Sequence, residues 1–201
     1  PEALPHLEQL RAEDPTNAEV LVGLAACWAV QLKGAEARQL LDGVLAGHPE
    51  DFAALLLYGE IEHQEERYAE AERWLRKALA VKPNDARARY ALHLALQAQP
   101  NRQEEAAAER KRWESDRDTT LRLTNLLRAE LANNPSDPEL AAEAGELLLR
   151  LGEDQRGLYW LNAALKLNPS HVRSHRALLG YYERIHDAAH ADEHRQFVPK
   201  Q

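Results

Sequence analysis

Five prolines of this chain follow a register that limits where helices begin and end. The register has a constant step of 34 residues and is interrupted once, and its members are Pro15, Pro49 and Pro83, followed by Pro135 and Pro169. Proline lacks a backbone N–H and clashes with the preceding helical turn, so it stands between helices or in a first turn. A fixed period of this length is typical of repeat architectures, in which each period is one supersecondary unit. The chain is therefore expected to be a stack of similar units.

Each period contains two helical patterns separated by a short polar connection. Leu, Ala, Glu and Arg dominate the sequence and β-branched residues are few, which favours an all-α fold. Thr16 with Glu19 and Ser136 with Glu139 fit the capping box that opens a helix. A lone helix over 2–13 is predicted, followed by five helix pairs: 17–31 with 35–47, 51–64 with 68–80, 85–98 with 102–116, 137–150 with 154–167, and 171–185 with 188–197.

The stretch 101–134 contains neither glycine nor proline and interrupts the proline register. The step from Pro83 to Pro135 exceeds the period by 18 residues, which is about five turns at ~3.6 residues per turn and keeps a buried helix face in phase. We expect one extended helix, although the wholly polar middle, 114–120, also allows a break near 116–119. The predicted organisation is an N-terminal group over 1–100 (a half repeat, two full repeats and the first helix of a third), a linking helix over 101–134, and a C-terminal group with a capping helix over 135–201.

Small residues recur at the same places in the periods, such as Gly59 and Gly145 in first helices and Ala78 and Ala164 in second helices. Gly or Ala at such places lets two helix backbones approach closely. With the phrases RYAEAERWLRKALAVKPND (67–85) and YWLNAALKLNPSH (159–171), the sequence resembles the tetratricopeptide repeat family, whose pattern is W-x2-L-G-x2-Y…A-x3-F…P. The resemblance implies a right-handed α-solenoid of helix-turn-helix repeats and a role in binding other proteins.

The resemblance also implies a concave groove lined by the first helix of each pair. Groove positions fall at fixed places of the family's repeat, and here they select as partner-binding residues Leu56, Glu60, His63, Tyr90, Leu94, Gln97, Glu146 and Arg176. An extended segment or an amphipathic helix of a partner is expected to lie in such a groove. The alternative is that these side chains pack against neighbouring helices. Val22, Ala26 and Leu57 stand where the family's carboxylate clamp has polar residues, which argues against an acidic chaperone tail as the ligand.

Catalytic and metal-binding patterns have little support. The motifs H-E-x-x-H, G-x-S-x-G, G-x-G-x-x-G and the P-loop do not occur, so we expect no enzymatic activity and no cofactor. Cys27 is the single cysteine and lies in an apolar stretch, which is typical of a buried, unreactive thiol. His186, His190 and His194 follow one another at steps of four residues, so His190 and His194 are weak candidates for a Zn²⁺ or Ni²⁺ site. A solvated last helix is the simpler interpretation, and we predict no metal.

The net charge of −8 argues against a nucleic-acid-binding surface, and no apolar run is long enough to span a membrane. The predicted function is a non-enzymatic scaffold that binds a protein or peptide partner in the groove. The alternative is a structural or oligomerisation module of a larger protein, with a homodimer as one form, because helix 2–13 is expected to expose Leu4, Leu7 and Leu10. The lack of methionine indicates an excised fragment, and a cytoplasmic location is only weakly favoured.

Overall fold

The structure, a computed structural model, describes residues 3–199, and the regular secondary structure in this range is entirely helical. The elements are α1 (Ala3–Glu13), α2 (Ala18–Val30), α3 (Gly34–Gly47), α4 (Phe52–Gln64), α5 (Tyr68–Val81), α6 (Ala86–Gln97), α7 (Gln103–Asn125), a π-helical turn (Leu126–Glu130), α8 (Leu131–Asn133), α9 (Pro138–Arg150), α10 (Asp154–Leu167), α11 (Val172–Arg184) and α12 (Ala188–Arg195). The all-α prediction is confirmed, and most boundaries agree to within a few residues. The predicted first residue of the first helix lies outside the described residues.

The stretch without glycine or proline is helical from Gln103 to Asn133, passing from α7 through the π turn into α8. The predicted extended helix is confirmed, and the alternative break near 116–119 does not occur. The hydroxyls of Thr119 and Thr120 donate to the carbonyls of the residues four positions before them, at 2.7 and 2.9 Å. These two bonds let polar side chains stay within a helix instead of competing with its backbone.

The chain divides into two compact units, of which unit 1 ends at Glu114 and unit 2 begins at Ser115. In unit 1, α2 packs against α3 and α4 against α5, while in unit 2 α9 packs against α10 and α11 against α12. First helices also contact the next first helix: α2 with α4, α4 with α6, and α9 with α11. This pattern confirms the stack of helical repeats. The finer division at residues 100 and 134 stays a prediction.

The first helices of the repeats begin with equivalent polar caps. Asn17, Asp51, Asp85 and Asp137 are the N-cap residues, and each side chain accepts a hydrogen bond from a backbone N–H in the first turn. The capping boxes predicted at Thr16 and Ser136 are therefore wrong by one residue. Thr16 instead closes the preceding turn, because its hydroxyl lies 2.9 Å from the carboxylate of Asp14.

The turns between paired helices share one backbone motif. The N–H groups of Lys33, Arg67, Glu153 and Asp187 each donate to the carbonyl five residues earlier, at 2.9 Å in every case. The residue before each donor has a left-handed φ: Leu32 (61°), Glu66 (60°), Gly152 (77°) and His186 (59°). This is the Schellman motif, in which glycine is the usual left-handed residue. The four turns thus end the first helices of four repeats in the same way.

Close helix contact explains the glycines at the middle of the first helices. A Cβ on Gly145 would lie 2.6 Å from the Cγ of Leu161 and 2.9 Å from the backbone oxygen of Gly157, and one on Gly59 would lie 2.6 Å from the Cγ of Leu75. The core of each unit is built around these contacts. Its largest fully buried residues include Leu41, Ile61, Leu75 and Leu92 in unit 1 and Leu126, Leu148, Leu161 and Leu178 in unit 2.

Candidate partner-binding face

The first helices of unit 1, α2, α4 and α6, lie side by side and form a surface that we call the first-helix face. Two trios of predicted residues belong to it. Leu56, Glu60 and His63 lie on α4, and Tyr90, Leu94 and Gln97 lie on α6 at the same spacing. Residues separated by four and seven positions share one side of a helix, so each trio points to one side.

The three predicted residues on α4 differ from one another in solvent accessibility. Leu56 is only 5% exposed and belongs to a core cluster that includes Leu75 and Leu92, so it offers little surface to a partner. His63 is partly exposed, and its ring meets that of Tyr68 edge-on at a centroid distance of 5.4 Å. Glu60 is partly exposed as well, and its carboxylate is already paired within the protein.

Glu60 is paired with Arg87, which lies on α6. The Nε and Nη2 of Arg87 donate to the two carboxylate oxygens of Glu60, both at 2.6 Å. Such a two-pronged pair is charge-assisted and fixes the orientation of both side chains. It therefore links α4 to α6 across the first-helix face. The repeat pattern does not single out Arg87 as a groove residue, although the spacing of 27 residues between acid and arginine recurs elsewhere in the chain.

The recurrence lies in unit 2, where α9 and α11 are linked by Glu146 and Arg173. The Nε and Nη2 of Arg173 donate to Glu146 at 3.0 and 2.7 Å, again across 27 residues. Arg173 also donates to Glu139, whose pKa is lowered by hydrogen bonds from Arg173 and, to a smaller extent, from His171. Arg176, the other predicted residue of unit 2, is exposed on α11.

The α6 trio carries the accessible aromatic group of the first-helix face. Tyr90 is 42% exposed, and its ring lies 4.9 Å from that of Trp113 on α7, with a tilt of 39°. Leu94 is partly buried, while Gln97 is exposed. The contact of Tyr90 with Trp113 could not be predicted from the sequence, because it depends on how α7 packs against α6.

Buried titratable groups of unit 1 are engaged in packing. The carboxylate of Glu62 pairs with Arg67 and lies 3.7 Å from Arg38, and that of Glu109 pairs with Arg89 at 3.1 Å. The Nδ1 of His93 donates to the carbonyl oxygen of Ala106 at 3.0 Å. Each of these groups joins one helix to another or to the following turn, which accounts for its burial.

The histidines near the C-terminus are engaged with separate partners. The Nδ1 of His190 lies 2.7 Å from a carboxylate oxygen of Asp187, while the Nδ1 of His194 lies 3.0 Å from the Nδ1 of His175. Within residues 3–199, no three His, Cys, Asp or Glu side chains form a group that could hold a metal ion. The structure therefore does not bring His190 and His194 together as ligands.

A cavity of about 450 Å³ opens between α1 and α2, lined by Leu4, Ala26, Cys27, Val30 and Gln31. Cys27 is partly exposed, so the prediction that its thiol is buried is wrong. Val30, which lines this cavity, is highly exposed, and so is Leu32 in the turn after α2. No helix in the described range has the length and apolar character needed to cross a membrane.

Comparison with known proteins identifies the repeat. Family models described as tetratricopeptide repeat match residues 31–99 and 123–172, together more than half of the chain. Similar solved structures include the MamA RS-1 ArsTM double mutant, at 20% identity over 84% of this chain and 85% of that chain with a TM-score of 0.50. Others are YrrB, described as a TPR protein with an unusual peptide-binding site (19% identity, 95% and 89% coverage, TM-score 0.43), and pilF of Pseudomonas aeruginosa (19%, 94% and 78%, 0.46). No curated protein matches this chain.

Proposed function

We propose that this chain, which belongs to the tetratricopeptide repeat family of protein-interaction scaffolds, binds a segment of a partner protein on the first-helix face of unit 1. The observation that carries the proposal is the accessible ring of Tyr90, which lies against Trp113 and on the same side of α6 as Leu94 and Gln97. Aromatic side chains supply a large contact area with few rotatable bonds and are enriched among residues that dominate binding energy. No catalytic role is needed to explain this surface.

The charges of the face indicate what kind of segment it accepts. Glu60 and Arg87 neutralise each other, so this part of the face presents a closed ion pair instead of a free charge. Tyr90, Leu94 and Gln97 offer apolar contact and an amide that donates and accepts hydrogen bonds. We therefore propose a partner segment anchored by an apolar or aromatic side chain, bound with weak dependence on salt concentration.

The proposal is tested with peptides selected from a random phage-displayed library against the whole chain. Binding of synthetic copies is then measured by fluorescence anisotropy with the wild type and with the Tyr90→Ala, Gln97→Ala double variant. We expect the double variant to lose at least about tenfold in affinity, because truncating an aromatic hot-spot residue costs roughly 2 kcal/mol or more.

Tyr159→Ala is the matched control, since Tyr159 is 68% exposed on the second helix α10 of unit 2. Circular dichroism is used to check that every variant keeps its helical content. If the double variant binds the selected peptides as the wild type does, or if Tyr159→Ala abolishes binding, the first-helix face is not the site.

A second candidate function is self-association through α1 and α2. Val30 lines the apolar cavity and is 84% exposed, and Leu32 is 80% exposed in the turn after α2, so exposed apolar groups and a recess lie at the same end of α2. A surface of this kind is self-complementary, as a two-fold symmetric interface requires.

Light scattering at several concentrations should show mass rising toward a dimer. We expect the double variant Val30→Lys, Leu32→Lys to stay monomeric. The control Leu121→Lys, which changes another exposed leucine, should still form the dimer. A constant monomeric mass for the wild type would exclude this function.

A further inference from the structure

Two histidines join the last two helices of unit 2 directly. His175 lies on α11 and is 4% exposed, and His194 lies on α12 and is partly exposed. Their Nδ1 atoms are 3.0 Å apart, within hydrogen-bonding distance. Two neutral imidazoles can form such a bond only if one Nδ1 carries a proton and the other does not.

The backbone decides which ring carries the proton. The Nε2 of His175 lies 2.9 Å from the carbonyl oxygen of Pro169, and a carbonyl oxygen can only accept. His175 is therefore protonated on Nε2, and in its neutral form its Nδ1 is a bare acceptor. It follows that the Nδ1–H of His194 donates to His175, so both tautomers are fixed by their surroundings.

The ring geometry favours a shared proton over a shared metal ion. Two imidazoles bound to one ion point at a common centre, with metal–nitrogen distances of about 2.0–2.1 Å, so their rings draw together at an angle. Here the ring centroids are 5.2 Å apart while the nitrogens are 3.0 Å apart. A centroid distance of 5.2 Å is close to the largest that two imidazole rings can have when their nitrogens are 3.0 Å apart. The two nitrogens therefore face each other nearly head-on, as in a hydrogen bond.

Aromatic rings enclose the histidine pair on both sides. Phe197, which follows α12, stacks on His175 at a centroid distance of 4.0 Å and a tilt of 8°. Tyr182 of α11 stacks on His194 at 5.7 Å. These contacts cover ring faces of the pair and, with the burial of His175, make a second positive charge there costly.

The charged and titratable groups around the pair come from α11, α12 and α9. On α12, Glu193 is next to His194 in sequence and favours its charged form, while His190, paired with Asp187, disfavours it. Arg195 is held by Glu183 of α11 and by Asp192. At the start of α11, His171 contacts Ser174 and reaches Glu139 of α9. No carboxylate among the described residues bridges His175 and His194 to offset a double positive charge.

We propose that His175 and His194 form a proton-operated latch, which holds α12 against α11 while the pair carries at most one added proton and releases it when both rings are protonated. One added proton is tolerated because a charged His194 still donates to the bare Nδ1 of His175. A second proton places two N–H donors and two positive charges face to face. Release exposes the surface of α11 that α12 covers, including Tyr182 and the face of His175 under Phe197.

The direction of the pH dependence follows from the same contacts. Burial, and next the neighbouring His175, lower the pKa of His194 below its usual value. The docked pair accepts one added proton but resists the second, so it binds fewer protons than the released pair. Docking is at full strength above about pH 6.5, the ordinary pKa of histidine, and weakens as the pH falls below it. Well below that point, where the released pair binds one proton more than the docked pair, each further pH unit should favour release by up to about tenfold.

The test is made by NMR on the whole chain. Long-range ¹H–¹⁵N spectra of the imidazoles at about pH 7.5 should show His175 protonated on Nε2 and His194 on Nδ1. Amide exchange should show the opening equilibrium of α12, corrected for the intrinsic pH dependence of exchange, rising about fivefold between about pH 6.5 and pH 5.5.

Two variants separate the latch from a general effect of acid. The side-chain amide of Asn does not titrate, and it can turn its N–H to a neutral His175 or its oxygen to a protonated one, so His194→Asn should keep α12 docked with no pH response in this range. The control His190→Asn changes a neighbouring exposed histidine on the same helix and should keep the response. The proposal is overturned if wild-type α12 opens equally at both pH values, or if His194→Asn retains the response or His190→Asn loses it. If His194→Asn cannot dock at all, the wild-type ring spectra decide, and any tautomer other than the two stated overturns the latch.

Discussion

Glu60 and Arg87 join the first helices of two successive repeats through two hydrogen bonds of 2.6 Å each. Glu146 and Arg173 make the equivalent pair in unit 2, across the same 27 residues. The acid lies on the earlier helix and the arginine near the start of the next one. Because the planar guanidinium matches a carboxylate at two points, the pair fixes the relative position of the two helices. Its contribution to stability is expected to be small, because one or both side chains are partly exposed.

A double-mutant cycle on Glu60→Gln and Arg87→Gln should give a coupling energy of about 0.5–1 kcal/mol at low salt, decreasing as salt is added. The free energy of unfolding in urea is the measurement. The matched control is the exposed pair Glu70 and Arg73 within α5, for which the coupling should be only about 0.2–0.5 kcal/mol. A coupling of several kcal/mol that is insensitive to salt would mean that the Glu60–Arg87 pair stabilises the fold and does more than orient it.

Much of the fold could be predicted from the sequence because its signals are local. The proline register, the small residues at Gly59 and Gly145 and the uninterrupted stretch 101–134 each act within one or two helical turns, and all three predictions agree with the structure. The position of the caps was less accurate. Thr16 fits the sequence pattern, but its hydroxyl is engaged by Asp14, so Asn17 caps α2 instead.

The accessibility of the candidate site could not be predicted in the same way. Leu56 and Glu60 lie on one side of α4, yet Leu56 is buried and Glu60 is not. The difference arises because Leu56 meets the core cluster between α5 and α6, and that contact depends on the angle at which helices cross. Cys27 illustrates the opposite case, since it lies in an apolar stretch but borders an open cavity. Burial at a helix surface is set by the neighbouring helix, which the local sequence does not specify.

Replacing Gly145 by alanine should destabilise unit 2 by about 1–2 kcal/mol. The added methyl group would meet both the side chain of Leu161 and the backbone oxygen of Gly157, and overpacking of this kind costs typically 1–3 kcal/mol. The higher helix propensity of alanine offsets up to about 1 kcal/mol of this. Gly180→Ala is the control in the same unit, because a Cβ there meets nothing within 4 Å, and it should be neutral or stabilising. The two variants are compared by thermal unfolding, and equal stability would contradict the close contact of α9 with α10.

Glu72 should make the stability of unit 1 depend on pH in the acid range. Burial opposes its ionisation, but hydrogen bonds from Arg102, Arg76 and Gln99 outweigh this and lower its pKa to about 2. The folded state thus binds fewer protons than the unfolded one, so the stabilisation is complete above the unfolded pKa and is lost as the pH falls toward 2. Glu72→Gln should lose at most about 3 kcal/mol at pH 7, and its unfolding free energy should approach that of the wild type as the pH is lowered.

The measurement for Glu72 is urea unfolding at a series of pH values from neutral to acid. Glu70→Gln is the matched control on the same helix, since its carboxylate is half-exposed and pairs only with Arg73 among the described ion pairs. It should leave the pH profile of the wild type unchanged. Parallel profiles for the wild type and Glu72→Gln would show that the carboxylate of Glu72 is not preferentially ionised in the folded state.

Leu32 occupies a position at which its side chain is unfavourable in two respects. It has a φ of 61° in the turn after α2, and its side chain is 80% exposed, whereas the equivalent residue in another repeat is Gly152. A left-handed conformation costs an L-residue roughly 1–2 kcal/mol, and glycine has no such cost but raises the entropy of the unfolded chain. Leu32→Gly should therefore stabilise unit 1 by about 0.5–1 kcal/mol and raise its melting temperature by a few degrees. Gln31→Gly is the control, since Gln31 has a φ of −85° and gains nothing from glycine, so that variant should be destabilised. A loss of stability in Leu32→Gly would show that the leucine side chain makes a stabilising contact that outweighs its backbone strain.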